Sequence, residues 1–230
     1  MCIKNVWLWY HIFYNNARNI HMTLIFSIFY IIILIFSIVI HEIAHGYVAF
    51  LWGDNTAKNQ GRLTLNPLSH IEWFGSVILP GILILSQAGF VFGWAKPVPY
   101  NPENLRNRRR GTLAVASAGV IVNLFIAIFF GLITRILIAK GVILTESSTY
   151  DILHTIVGLN LVLAIFNLIP LPPLDGSRIL FSILGDKFQK LEYMLEKYAF
   201  VILILFVFVL WKYIAPVLFF LYTLITGQTF

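Results

Sequence analysis

Four stretches of this sequence, residues 23–52, 112–139, 151–171 and 199–226, are almost wholly apolar. Each reaches or exceeds the roughly 20 residues that a helix needs to cross about 30 Å of hydrocarbon. Inside lipid the backbone must satisfy its own N–H and C=O groups, so such runs are expected to be membrane-spanning helices. A fifth apolar stretch, 74–94, is interrupted by Pro80, Gly81, Gly89 and Gly93. It is expected to re-enter the membrane as a hairpin bent at Pro80 and Gly81. With 59% hydrophobic and 11% charged residues, the chain has more apolar surface than one soluble core can bury. The expected fold is therefore an all-α polytopic membrane protein with about four to six transmembrane helices. It forms a single embedded domain over 23–230, behind an N-terminal segment 1–22. That segment holds Lys4 and Arg18 among aromatics without a small-residue cleavage site, which argues against a removed signal peptide.

Charge orients the helices. The net charge of +6 does not point to nucleic acid, because the basic residues lie in short segments between apolar runs, where Lys and Arg mark the cytoplasmic side. In 96–110, Lys96, Arg106, Arg108, Arg109 and Arg110 face only Glu103. A second basic segment, 178–197, reads as an amphipathic surface helix from 185 onward. If both are cytoplasmic, 112–139 and 151–171 run out and back between them, and the C-terminal end of 23–52 is cytoplasmic too. Residues 58–67, with the order NQGRLTLN, suggest a short strand after a turn on that same side.

Within the first apolar run stand His41, Glu42 and His45. A spacing of four puts both imidazoles on one helical face, where they can share a metal ion while Glu42 projects beside a metal-bound water. Six histidines and six glutamates in 230 residues would produce this pattern by chance only about 0.004 times per chain of this composition. Either histidine alone could be a hydrogen-bonded packing residue, a proton relay or a haem ligand, but neither of the last two roles requires this spacing or a glutamate directly after the first histidine. Cys2 is the only cysteine, so a thiolate cluster is excluded and a metal must rest on imidazole and carboxylate. A hydrolytic zinc takes three protein ligands, and Asp175 is the natural third. It lies at the cytoplasmic end of its span, where PLPPLD interrupts regular helix. The alternative for Asp175 is a cap on the turn at Gly176 and Ser177.

HEIAH at 41–45, NLIPLPPLDG at 167–176 and the small-residue entry ASAGVIVN at 116–123 together resemble the site-2 protease family. GRLTLNPLSHI at 61–71 and FGWAKPVPYNP at 92–102 resemble its compact group without a PDZ domain. The resemblance implies one zinc per chain held by His41, His45 and Asp175, with Glu42 as the catalytic glutamate. It also implies that Asn167 contacts substrate or the developing oxyanion, although an interhelical hydrogen bond is the other reading of that residue. Implied substrates are membrane-spanning segments of other proteins, cut by metal-activated water in a multi-pass cell-membrane enzyme whose site lies near the cytoplasmic face. A homo-oligomer or a regulatory membrane partner is compatible with this. The family's small-residue motif carries a proline where Val120 stands, ahead of Asn123, so the entry geometry of that helix is open. Asn123 either lines the site or packs, and His70 is a second-layer ligand or a solvated loop residue. The rival classes are a membrane metal-binding or regulatory homologue without proteolysis, and an ion or proton transporter.

Overall fold

The computed structural model describes residues 20–86 and 93–228, and the expectations for 1–19 and for Gly89 lie outside them. Helix α1 covers Ile20–Leu51, and a single short turn of helix, α2, covers Thr56–Asn59. Helix α3 covers Leu79–Leu85, α4 Arg108–Ala139 and α5 Ser148–Asn167. The chain closes with α6 at Asp175–Leu184, α7 at Gln189–Lys197 and α8 at Ala199–Thr226. Among the described residues, Ile28–Leu51, Arg108–Ala139 and Ser148–Asn167 are long and apolar enough to cross a membrane, and Tyr213–Thr226 is a shorter apolar helix. The protein is an all-α membrane protein.

Helix α4 is the central member, packing against α1, α5, α6 and α8. Its buried face repeats every fourth residue through Gly111, Val115, Gly119, Asn123, Ala127 and Gly131. Side chains four apart form one ridge, and keeping that ridge low lets neighbouring helices approach closely. Helix α1 answers with its own buried stripe, Ser37, His41, His45 and Ala49, while Ile28, Ile31, Ile32 and Ile35 on its other faces are exposed. In a bilayer those faces meet lipid. A core of Ala127, Val157, Leu161, Leu218 and Tyr222 ties α4, α5 and α8 together away from the stripe's polar members.

Among the described residues there is no strand, so the expected strand in 58–67 is corrected. Gly61 at φ +65° ends the α2 turn, and 63–65 only bend before a 3-10 turn at Pro67–His70. The segment is held by side-chain contacts instead of a ladder. Buried Arg62 donates from Nη2 to the carbonyls of Lys96 (2.9 Å) and Pro97 (3.2 Å), and Asn66 caps Leu68 N. The expected hairpin bend at Pro80 and Gly81 is also corrected, because α3 continues as helix through both. A π turn at Trp73–Ile78 precedes α3, and the Gly75 carbonyl is taken by Trp94 N at 3.1 Å, so a proline early in the helix costs little there. The two ends of the 70–96 excursion do meet: besides that bond, Ser76 Oγ donates to Trp94 O (2.8 Å) and Lys96 N to His70 O (2.9 Å).

Beyond the PLPP turn, where irregular backbone was expected, Asp175 opens α6, and the surface helix begins at Gln189 after a 3-10 turn.

Candidate metal centre

Three ligand atoms from two separate regions of the chain converge beside α4. His41 Nε2 and His45 Nε2 lie 3.0 Å apart. Asp175 Oδ2 lies 3.1 Å from the first and 3.2 Å from the second. One turn of α1 places the two imidazoles on the same face, and α6 brings the carboxylate as the first residue of its helix. Glycine follows at 176 for a steric reason. A Cβ there would stand 2.3 Å from the Leu168 carbonyl oxygen and 2.4 Å from that of Ile169, so only glycine lets α6 start this close to the end of α5. The expected alternative for Asp175, a capping role, is not what the carboxylate does: the start of α6 has no side-chain cap, and Oδ2 makes no well-aligned hydrogen bond with a described residue.

The histidines are held from behind. His45 Nδ1 meets the Val115 carbonyl of α4 at 2.7 Å, which leaves Nε2 to face the triangle. Gly119 admits His41, since a Cβ at that position would lie 2.4 to 2.6 Å from three atoms of its ring. Gly46, directly after His45, makes room in the same way: a Cβ would meet Val98 Cγ1 at 2.6 Å and Leu63 Cδ2 at 2.7 Å. That approach delivers the Val98 N–H to Glu42 Oε2 at 2.8 Å. Pro97 and Pro99 flank Val98 and have no N–H, so Val98 offers the donor there.

Asn167 sits at the last turn of α5, and its amide donates to the Leu163 carbonyl of its own helix at 2.9 Å. His70 is not solvated: it is 2% exposed, with Nε2 2.9 Å from the Thr64 carbonyl. The structure thus brings His41, His45 and Asp175 together and sets Glu42 beside them against Val98. Val115, Gly119 and Val98 were not foreseen as supports. The small-residue run 116–123 and the lone N–H between Pro97 and Pro99 were the signals that could have found Gly119 and Val98.

Comparison with known proteins identifies the chemistry. The protein is similar over 188 residues, at 41% identity, to YwhC of Bacillus subtilis, provisionally named a zinc metalloprotease, and the match covers 80% of this chain and 82% of that one. The chain belongs to peptidase family M50, the site-2 proteases. The model of Peptidase family M50 matches residues 134–210. A second family model, Stage II sporulation protein M, matches residues 3–143, which stop short of Asp175. The relatives aligned across most of the chain are zinc metalloproteases by name, and they decide between the two. Zinc metalloprotease MJ0392 of Methanocaldococcus jannaschii is 29% identical over 70% of this chain and 36% of its own length. Rip2 of Mycolicibacterium smegmatis, again provisionally named a zinc metalloprotease, is 26% identical over 73% of this chain and 62% of its own. No solved structure matches the chain.

This M50 peptidase is a zinc metalloprotease, and its donor set suits the ion. Ligand atoms about 2.0–2.1 Å from a tetrahedral zinc stand roughly 3.3 Å from one another. The three edges here, 3.0, 3.1 and 3.2 Å, are close to that figure. Two imidazoles and a carboxylate, with no thiolate, leave a fourth position open, as a hydrolytic site requires.

Proposed function

We propose that the protein is an intramembrane endopeptidase that cuts membrane-spanning segments of other proteins, with zinc held by His41, His45 and Asp175 near the cytoplasmic face. The observation that carries this reading is the triangle of ligand atoms together with its depth. His41 lies ten residues before the end of α1, and Gly119 eleven after the start of α4. At 1.5 Å per residue both place the triangle roughly 15 Å in from the helix ends that adjoin the basic 106–110 segment. Those ends are cytoplasmic by the distribution of Lys and Arg, so the site lies inside the spanning helices and nearer that side.

Zinc bound there supplies a water of lowered pKa and polarises the scissile carbonyl. Glu42 accepts the proton from the attacking water and passes it to the leaving amine. Its Oε2 is fixed by Val98 N–H, which leaves Oε1 to carry that proton. Asn167 presents its amide to substrate or to the developing oxyanion, exchanging its bond to Leu163 for one to the bound peptide. A substrate helix hides its carbonyls in its own hydrogen bonds, so it must unwind locally before it is cut. The bilayer supplies the substrate by lateral diffusion, and no nucleic acid takes part.

The test is cleavage of a reconstituted membrane-spanning substrate by the intact chain and by Glu42→Gln. A drop of at least about a hundredfold with zinc still bound is expected for the loss of a general base. Equal rates would sink the mechanism.

A further inference from the structure

Helices α1 and α4 run antiparallel in a fixed register that continues past the metal ligands. His45 pairs with Val115 and His41 with Gly119, four residues back on one helix and four forward on the other. The same step brings Ser37 level with Asn123. From α5, Asn160 joins this layer, donating from Nδ2 to Ser37 Oγ at 3.0 Å and to the Ile156 carbonyl at 2.9 Å. The layer is closed to the outside: Ser37 is 5% exposed, Asn160 1% and Asn123 0%. A substrate segment cannot reach it.

Yet four buried polar atoms on this layer and the adjoining His41 layer make no hydrogen bond with a described residue: both amide atoms of Asn123, Asn160 Oδ1, and His41 Nδ1. Buried polar groups are almost always paired, with protein or with ordered water, and three or four of them around one point are the usual surroundings of a structural water. His41 sharpens the argument. A metal-binding histidine donates its other ring N–H to an acceptor that fixes its tautomer and orientation. His45 does so to Val115, and His41 has no such partner among the described residues. Asn123 stands one turn from Gly119, a rise of about 6 Å. A water bridge built from two hydrogen bonds of about 2.8 Å each covers the same span.

We propose that a buried water molecule accepts from His41 Nδ1–H and donates to Asn123 Oδ1 and Asn160 Oδ1, making Asn123 a positioning residue for the His41 ligand. The bridge holds the His41 ring with Nε2 toward His45 Nε2 and Asp175 Oδ2. This rests on His41 being a zinc ligand, and not on proteolysis.

The experiment measures zinc affinity of the full chain by chelator competition, without substrate. Asn123→Leu keeps the volume and removes the acceptor, and it should weaken zinc binding about 10- to 100-fold while leaving thermal unfolding of the metal-stripped protein no lower. Asn123→Asp retains an acceptor and should bind zinc at least as tightly as the natural chain, a rescue that a packing role would not give. Zinc binding by Asn123→Leu within twofold of the natural chain would overturn the proposal. Independently of any variant, nitrogen-15 spectra of the zinc-loaded natural protein should report a proton on His41 Nδ1 in contact with a slowly exchanging water. A His41 Nδ1 proton that exchanges freely with bulk solvent would contradict it. If His41→Ala left zinc affinity unchanged, the ligand assignment itself would fail. Tight zinc binding without any peptide cleavage would instead refute the protease reading and leave this proposal standing.

Discussion

At the scale of single residues, the centre depends on atoms that are missing as much as on the ligands. Gly119 lets the His41 ring lie against the α4 backbone, and adding one methyl puts it 2.4 Å from the ring. The imidazole is at the tip of a side chain on a packed helix and can yield only by rotating away from Asp175. Gly119→Ala should therefore lower zinc affinity at least tenfold and cost about 1–3 kcal/mol of stability from overpacking. Metal analysis of the purified variant and its thermal denaturation check the two effects separately. That His41 and His45 share one helical face was legible in the sequence, because helical spacing of four is a property of the chain alone. The contact between Val98 N and Glu42 was not legible, since it joins residues 56 positions apart through a segment with no regular structure. Val98→Pro removes that single N–H and should reduce turnover while leaving zinc binding within a few-fold, read from kcat beside a zinc titration.

Among the elements, the end of α1 is fastened by a carboxylate just beyond its last residue. Asp54 is fully buried and accepts from Thr56 N (3.1 Å), Thr56 Oγ1 (2.5 Å), Asn101 N (2.7 Å) and Asn104 Nδ2 (2.8 Å). These bonds tie the α1 terminus to the loop before α4 and so fix the register on which the metal site depends. Burial pushes the Asp54 carboxyl up, and the bonds from Thr56, Asn104 and Asn101 more than offset it, so its pKa in the folded protein lies below the ordinary value of 3.8. A depressed folded-state pKa stabilises the fold above about pH 4, and that contribution is lost as the pH falls through and below this point. Asp54→Asn should accordingly be less stable at neutral pH by about 2–3 kcal/mol, and its deficit relative to the natural chain should shrink below about pH 4. Denaturation at pH 7 and pH 3 measures both. The strand expected in 58–67 failed for a related reason: polar and apolar residues alternate there, but Arg62 finds carbonyls of the 96–97 segment, and one side chain's hydrogen bonds outweigh the local pattern. Pro80 misled in the opposite direction, because a π turn ahead of it removes the reason for a break.

For the whole molecule, the apolar runs and the Lys and Arg pattern were enough to indicate an all-α membrane protein, since lipid allows a spanning segment few alternatives. They could not reveal that α4 is the hub, which follows from a ridge of small side chains whose meaning appears only when α1 and α5 are laid against it. That hub sets two histidines from one helix and an aspartate from another within 3.2 Å, inside the spanning bundle and away from either end of α1. The central claim is that this geometry cuts peptide bonds within the bilayer. Its most direct measurement is the mass of the products released in proteoliposomes from a defined single-span substrate by the zinc-loaded chain. Fragments whose new termini fall inside the spanning segment, absent with Glu42→Gln, are the predicted result. Cleavage confined to the loops outside the membrane, or identical fragments from Glu42→Gln, would contradict the account.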